Sequence, residues 1–264
     1  MTSTSNDQSQ RQQRIVVVTP VYRDTDRLAA FGPSLARTFA GSRLPIRWVI
    51  ADDGSGDAES ARVRALADLF REVFPYIEVF EKGEHLGKGG TVRSAWEAYS
   101  EASWLGFLDA DGSVGAESLL NLIHRALEAG PGHAVVASRR KDRATTVVQK
   151  PFRKLTHRTF ATFARNLLSL PVHDVQCGAK IVEGTAFRSI APLLRENGFA
   201  FDGELLLALH RHGVDLIEIP VDWAEKSGGS VRPFAVILPM ARAILRVRKR
   251  ARRGCYDPAE PKNE

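Results

Sequence analysis

The chain has 264 residues, 44% of them hydrophobic and 26% charged, with a formal net charge of +6. These are globular values. They exclude a disordered polyelectrolyte and a disulfide scaffold, since only Cys177 and Cys255 are present. Seven Lys/Arg and no acids lie between Arg242 and Arg253, so the rest of the chain sums to −1. A second basic cluster spans Arg139 to Arg158, and the remaining body is acidic, which excludes a uniformly basic nucleic-acid binder.

The opening "MTSTSNDQSQRQQR" is polar and lacks the apolar core of a signal peptide, and residues 1–13 read as a disordered tail. No apolar run approaches the roughly 20 residues of a membrane span. A cytoplasmic protein, peripheral at most on a membrane face, is the expectation.

From Arg14 onward, "RIVVVTPVY", "IRWVIADDGS", "IEVFEK", "WLGFLDADGS" and "HAVVASR" read as strands, apolar on both faces as buried parallel strands are. Between them, Asp24–Ala40, Asp57–Val73, Lys88–Ala102 and Gly115–Gly130 read as helices. The second of these helices sets Ala58, Ala61, Ala65, Leu66, Leu69 and Val73 on one face. The alternation predicts an α/β fold, a mostly parallel sheet flanked by helices, with ligands beyond the carboxyl ends of the strands. A helix over Phe152–Ser169, a strand in "HDVQCGAKIVEG", a helix over Asp202–His212 and a strand in "VDLIEIPVDW" follow. Residues 234–253 form a basic amphipathic helix.

Polar residues gather at the strand ends. Asp109 and Asp111 lie two apart in "FLDADGS", so in an extended chain both side chains aim to one side. Alone, the motif leaves two readings open: a solvated turn, or a divalent cation on hard oxygen ligands. Asp52 and Asp53 end the second strand, where one can serve the start of the next helix and one can accept from a base or ribose. "GEHLGKGGTV" fails both common phosphate motifs. The spacing Gly83 to Gly87 is one residue short of a P-loop, and Val92 stands where GxGxxG needs glycine. A glycine-rich approach to a helix N-terminus with Lys88 beside it survives as an anion site.

Taken together, "VVTPVYRD", "VIADDGSGD", "HLGKGGTVRSA" and "GFLDADGS" resemble the GT-A fold glycosyltransferases of family 2. The resemblance implies a nucleotide-sugar donor and Mg²⁺ or Mn²⁺ held by the DxD residues Asp109 and Asp111, with Ala110 between them. It places Pro20, Val21, Tyr22, Asp24, Asp52 and Asp53 at the nucleoside, Lys88 close by, and Asp111 at the catalytic centre. "HDVQCGAKIV", "FDGELLLAL", "EIPVDWAEKSGGSV" and "LPMARAILRVR" resemble the dolichyl-phosphate β-glucosyltransferase and polyprenyl-phosphate glycosyltransferase branch. That branch implies an inverting transfer to a lipid phosphate, with UDP-glucose the first-choice donor and GDP-mannose open. Arg139, Arg140, Arg153 and Arg158 fall where it keeps phosphate-binding residues. It often carries membrane anchors, of which these residues show none, and the QxxRW motif of processive synthases is absent.

A lipid monophosphate is already anionic, whereas a sugar hydroxyl needs a base. Asp174, Asp202 and Glu204 are the candidate bases, Asp174 first. The expected organisation is a catalytic domain over 14–233, with a nucleotide-sugar half (14–114) and an acceptor half (115–233), then a helix and tail over 234–264. The basic helix suits an anionic membrane surface. No nucleic acid partner is expected, and the oligomeric state stays open.

Overall fold

The computed structural model describes residues 15–140, 145–148, 161–226 and 233–258. Arg153, Arg158 and the polar tail lie outside the described residues.

β1 (Ile15–Val21), β2 (Ile46–Asp52), β3 (Ile77–Glu81), β4 (Trp104–Leu108) and β5 (His133–Ser138) fall inside the predicted strands. They alternate with α1 (Thr25–Ser42), α2 (Asp57–Arg71), α3 (Lys88–Ala98) and α4 (Ala116–Ala129). A two-residue β6 (Val147–Val148) follows, then β7 (Ala179–Glu183), α5 (Gly184–Ile190), α6 (Phe201–Arg211), β8 (Asp215–Pro220), β9 (Trp223–Ala224) and α7 (Pro233–Ala251). The main sheet has seven strands in the order β3-β2-β1-β4-β7-β5-β8. Every neighbouring pair is parallel except those of β7, which runs antiparallel to both β4 and β5.

The strands are apolar on both faces because both faces are covered. Ile15, Val17 and Ile50 point to the side packed by Leu28, Leu35 and Phe39 of α1, Val63, Ala67 and Phe70 of α2, and Leu119, Leu122 and Ile123 of α4. Val16, Val18 and Phe107 point to the side packed by Trp96 of α3, Phe187 of α5, Leu205 to Leu209 of α6, and Ile244 and Val247 of α7. Strand order reverses around β1, whose neighbours β2 and β4 lie on opposite sides. The crevice at their carboxyl ends is the place where such a sheet leaves room for a ligand.

Two expectations need correction. The buried face of α2 is Val63, Ala67 and Phe70, while Leu69 and Val73 are exposed. The bulky set won because Val and Phe fill the space against α1, where alanines would leave gaps. The strand read in "HDVQCGAKIVEG" starts only at Ala179, so Asp174 sits in the turn before it. In the C-terminal helix, Ala243, Ile244 and Val247 are buried against α6, each large side chain contributing about 1.5–3 kcal/mol. Leu238 and Leu245 of the same helix are exposed.

Candidate active site

β1, β2 and β4 deliver the site. After Val21 the chain turns through Tyr22 and Arg23, the latter in the left-handed region at φ 49 and held by its amide on the Ser55 hydroxyl at 2.9 Å. Val21 and Ala110 turn their side chains into the core, so they offer a ligand only main chain; Pro20 is half-buried. The Tyr22 ring stacks on His85 at 4.0 Å between centroids.

The adjacent aspartates divide their work. Asp52 accepts from the Ser55 amide at 3.2 Å and from the Ser60 hydroxyl, so it fixes the turn into α2 rather than facing the crevice. Asp53, buried, accepts from the amides of Leu86 and Gly87 at 2.7 and 3.1 Å, and its other oxygen lies 3.1 Å from His85 Nδ1. It therefore shapes the glycine-rich loop that leads into α3. No side chain caps α3, which starts at Lys88 and is crowded so closely on α6 that a Cβ on Gly89 would lie 2.2 Å from that of Phe201.

Lys88 Nζ lies 2.8 Å from Asp109 Oδ1, and 3.5 Å from Asp202 Oδ2 at the start of α6. Burial alone would lower the lysine pKa, but the two carboxylates outweigh it and raise it above the ordinary value. For Asp109, desolvation by the surrounding protein raises the pKa and exceeds the lowering by Lys88. Its side chain nevertheless keeps 34% of its exposure, so ligands can reach it. Gly178 makes the room: a Cβ there would lie 2.3 Å from Asp109 Oδ2. Asp111 accepts from the Ser113 amide at 2.8 Å, and its other oxygen lies 3.6 Å from Arg27. Arg27 is also paired with Asp24. Arg27 and Gly178 escaped the sequence reading. Arg27 sits three residues beyond Asp24 on the first turn of α1, which is the one sequence signal that could have found it.

The acceptor-side candidates are engaged elsewhere. Asp174 is gripped by Arg139, whose Nε and Nη2 both reach it at 2.7 Å and whose amide adds a third bond at 2.9 Å. Burial pushes the Asp174 carboxyl up, yet the guanidinium and its hydrogen bonds prevail and hold it below the usual carboxylate range. Arg139 also lies 5.7 Å over the Trp223 ring. Asp202 is buried and paired with Lys180 at 2.5 Å. Glu204 accepts from the amides of Arg195 and Glu196, from Arg250 and from the Tyr256 hydroxyl. None of the three is an unengaged base. Arg140 is exposed, 3.4 Å from His173 Nδ1.

Among the described residues, no group of three or more His, Cys, Asp or Glu converges as a metal cage. Asp109 and Asp111 fit a hard divalent cation that takes one or two carboxylates and completes its shell with phosphate and water. Both side chains are partly exposed, at 34% and 27%, and all four donor atoms are oxygen.

The chain resembles solved structures along nearly its whole length. Glucosyl-3-phosphoglycerate synthase from Mycobacterium tuberculosis, in complex with Mn²⁺, UDP and glucosyl-3-phosphoglycerate, superimposes with a TM-score of 0.62, covering 98% of this chain and 86% of that one at 17% identity. Mannosyl-3-phosphoglycerate synthase from Rubrobacter xylanophilus gives 0.62 at 16% identity, covering 98% and 80%. At such identities the likeness shows the fold, GT-A, alone. In sequence, the dolichyl-phosphate beta-glucosyltransferase of Saccharomyces cerevisiae is 25% identical over 254 residues, 91% of this chain and 75% of the relative. That of Dictyostelium discoideum is 26% identical over 206 residues, 76% of this chain but only 62% of the relative. The polyprenol monophosphomannose synthase of Mycolicibacterium smegmatis is 26% identical over 223 residues, covering 82% and 80%. Residues 16–190, which run from β1 through the acid pair to the end of α5, match the Glycosyl transferase family 2 model, and the chain belongs to that family of enzymes.

Proposed function

We propose that this enzyme transfers a hexose, glucose from UDP-glucose, with inversion to a polyprenyl phosphate. One observation carries the reading: Asp109 and Asp111 stand partly open at the crevice, while Asp174, Asp202 and Glu204 are each tied to a cation. A hydroxyl acceptor needs a free base, whereas a phosphate monoester reaches the sugar already anionic. The names of the relatives point the same way.

In this reading, the nucleoside lies between the Tyr22 turn and the loop shaped by Asp53. Lys88 faces the diphosphate, and its charge stabilises the negative charge that develops on the leaving group. Asp109 and Asp111 would hold Mg²⁺ or Mn²⁺, which as a Lewis acid would neutralise further charge on the departing diphosphate. An oxygen of the acceptor phosphate forms the new bond to the anomeric carbon as the bond to the diphosphate breaks, on the opposite face. Arg139 and Arg140 flank the acceptor side, Arg139 oriented by Asp174. Among the described residues, no helix is long and apolar enough to cross a membrane. The outer side of α7 instead shows Leu238 and Leu245, 57% and 50% exposed, beside exposed Arg242 and Lys249. That side suits an anionic bilayer surface, where the acceptor would reside.

The test is a transfer assay with UDP-glucose and GDP-mannose, with Mg²⁺ or Mn²⁺, offering a short-chain polyprenyl phosphate or a free sugar. The expected result is glucose on the lipid phosphate, abolished by EDTA. Transfer to the sugar hydroxyl alone would overturn the acceptor, and use of GDP-mannose alone would overturn the donor.

A further inference from the structure

Lys180 is the puzzle left by the fold. It lies on β7 on the same face as Val182, which packs in the core beneath α6, and it is fully buried. A buried ammonium is strongly destabilising unless it is paired and hydrogen-bonded. Its Nζ lies 2.5 Å from Asp202 Oδ1 and 3.0 Å from the Cys177 carbonyl oxygen, and 5.1 Å from the Phe107 ring centre. Lys88 lies 4.7 Å from that ring, and its Nζ is 3.5 Å from the other oxygen of Asp202. The four groups therefore run Asp109, Lys88, Asp202, Lys180, with signs alternating and charges balanced. One ion pair would suffice to pin α6 to the sheet. This arrangement extends to the open carboxylate at the crevice.

We propose that Lys180 is a positioning residue for donor binding: by satisfying one oxygen of Asp202, it leaves Lys88 directed at Asp109, where the diphosphate arrives. The proposal rests on the reading of Lys88 and Asp109 as the diphosphate end of the donor site. The distances support it, since the oxygen of Asp202 nearest Lys88 is 0.7 Å farther from Nζ than Asp109 Oδ1 is, 3.5 against 2.8 Å. Without the Lys180 charge, Asp202 is left, among the described residues, with Lys88 as its paired cation. Coulomb attraction in a site of low dielectric then draws Lys88 inward, away from Asp109.

Calorimetry of UDP binding, with Mn²⁺ and again with EDTA, tests this on the full chain, with GDP as the second probe. Lys180→Met should weaken UDP at least tenfold, about 1.4 kcal/mol, with the number of sites per chain unchanged. In the Asp202→Asn background the same substitution should change the dissociation constant less than about twofold, because the charge through which Lys180 acts is gone. Lys180→Gln, which keeps a donor for the Cys177 carbonyl oxygen and carries no charge, should repeat the loss and serves if the methionine variant does not fold. A purely structural lysine gives a different signature: a lower melting temperature and fewer competent sites, with the dissociation constant of those sites unchanged. That result would overturn the proposal, as would an equal loss in the Asp202→Asn background. Wild-type protein that binds neither UDP nor GDP would instead overturn the donor-site reading itself, and this proposal with it.

Discussion

Two pairs of acids in this molecule are treated in opposite ways. Asp109 and Asp111 end β4 with their side chains partly exposed, one facing Lys88 and the other within 3.6 Å of Arg27. Glu196 and Glu204 lie beneath α7 and are almost fully covered. Arg250 bridges them at 2.9 and 2.7 Å, Arg246 adds a contact to Glu196, and the Tyr256 hydroxyl donates to Glu204. The first pair keeps oxygen atoms available to a ligand. The second uses its oxygens to fasten the C-terminal helix and the 194–198 loop to α6. Both pairs are carboxylates; covering and partner count separate a site from a clamp.

Substitutions should separate the two pairs. The largest effect is expected at the clamp. Glu204→Ala leaves the amides of Arg195 and Glu196 without an acceptor and removes one partner of a buried ion pair, for a loss of about 3–5 kcal/mol in urea unfolding. A loss under about 1 kcal/mol would mean that the clamp is ornamental.

Asp111→Asn should show the converse behaviour. Transfer activity should fall at least a hundredfold, about 2.7 kcal/mol, with the urea midpoint unmoved, and EDTA should reproduce the loss in wild type. An equally large fall in stability would erase the distinction between the two pairs.

Asp174 tests the intermediate case, an acid bound by Arg139 near the site. Its pKa is depressed, so its contribution to stability is present above the unfolded carboxylate value near 4 and is lost as pH falls through the lower folded value. Wild type should exceed Asp174→Asn by about 1–3 kcal/mol at pH 7. That gap should hold to about pH 5 and close in stronger acid. A gap that persists unchanged at the lowest pH would contradict the ion pair.

The smallest effect is expected on the outer side of α7. Arg242→Gln and Lys249→Gln should each weaken co-sedimentation with anionic liposomes by about 1 kcal/mol or less, more visibly at low salt. Arg250→Gln should instead act on stability, because its guanidinium faces inward to Glu196 and Glu204.

Much of the fold was legible because its signals are local. Apolar runs such as "RIVVV" and the helical spacing of α4 announce buried elements, and Gly-Ser and Asp-Gly turns mark the strand ends. The direction of β7 was not, since "AKIV" is equally apolar read either way. The buried face of α2 was also missed, because alanines and larger residues form two competing stripes and only contact with α1 selects one. Lys180 gave no sign, as a lysine on a strand ordinarily reads as solvent-facing.

The alternation of β1–β5 with α1–α4, and the polar groups at the ends of β1, β2 and β4, including the Asp109 and Asp111 pair, could be read from the sequence, whereas α5, β6 and β9 could not. The readable features follow from neighbours a few residues apart. Which acids remain available depends instead on tertiary packing. Lys180 and Asp202 are 22 residues apart, Arg139 and Asp174 are 35 apart, and Glu204 and Arg250 are 46 apart. Pairing at such separations depends on how β5, β7, α6 and α7 pack, because a charge is neutralised by what lies beside it in space.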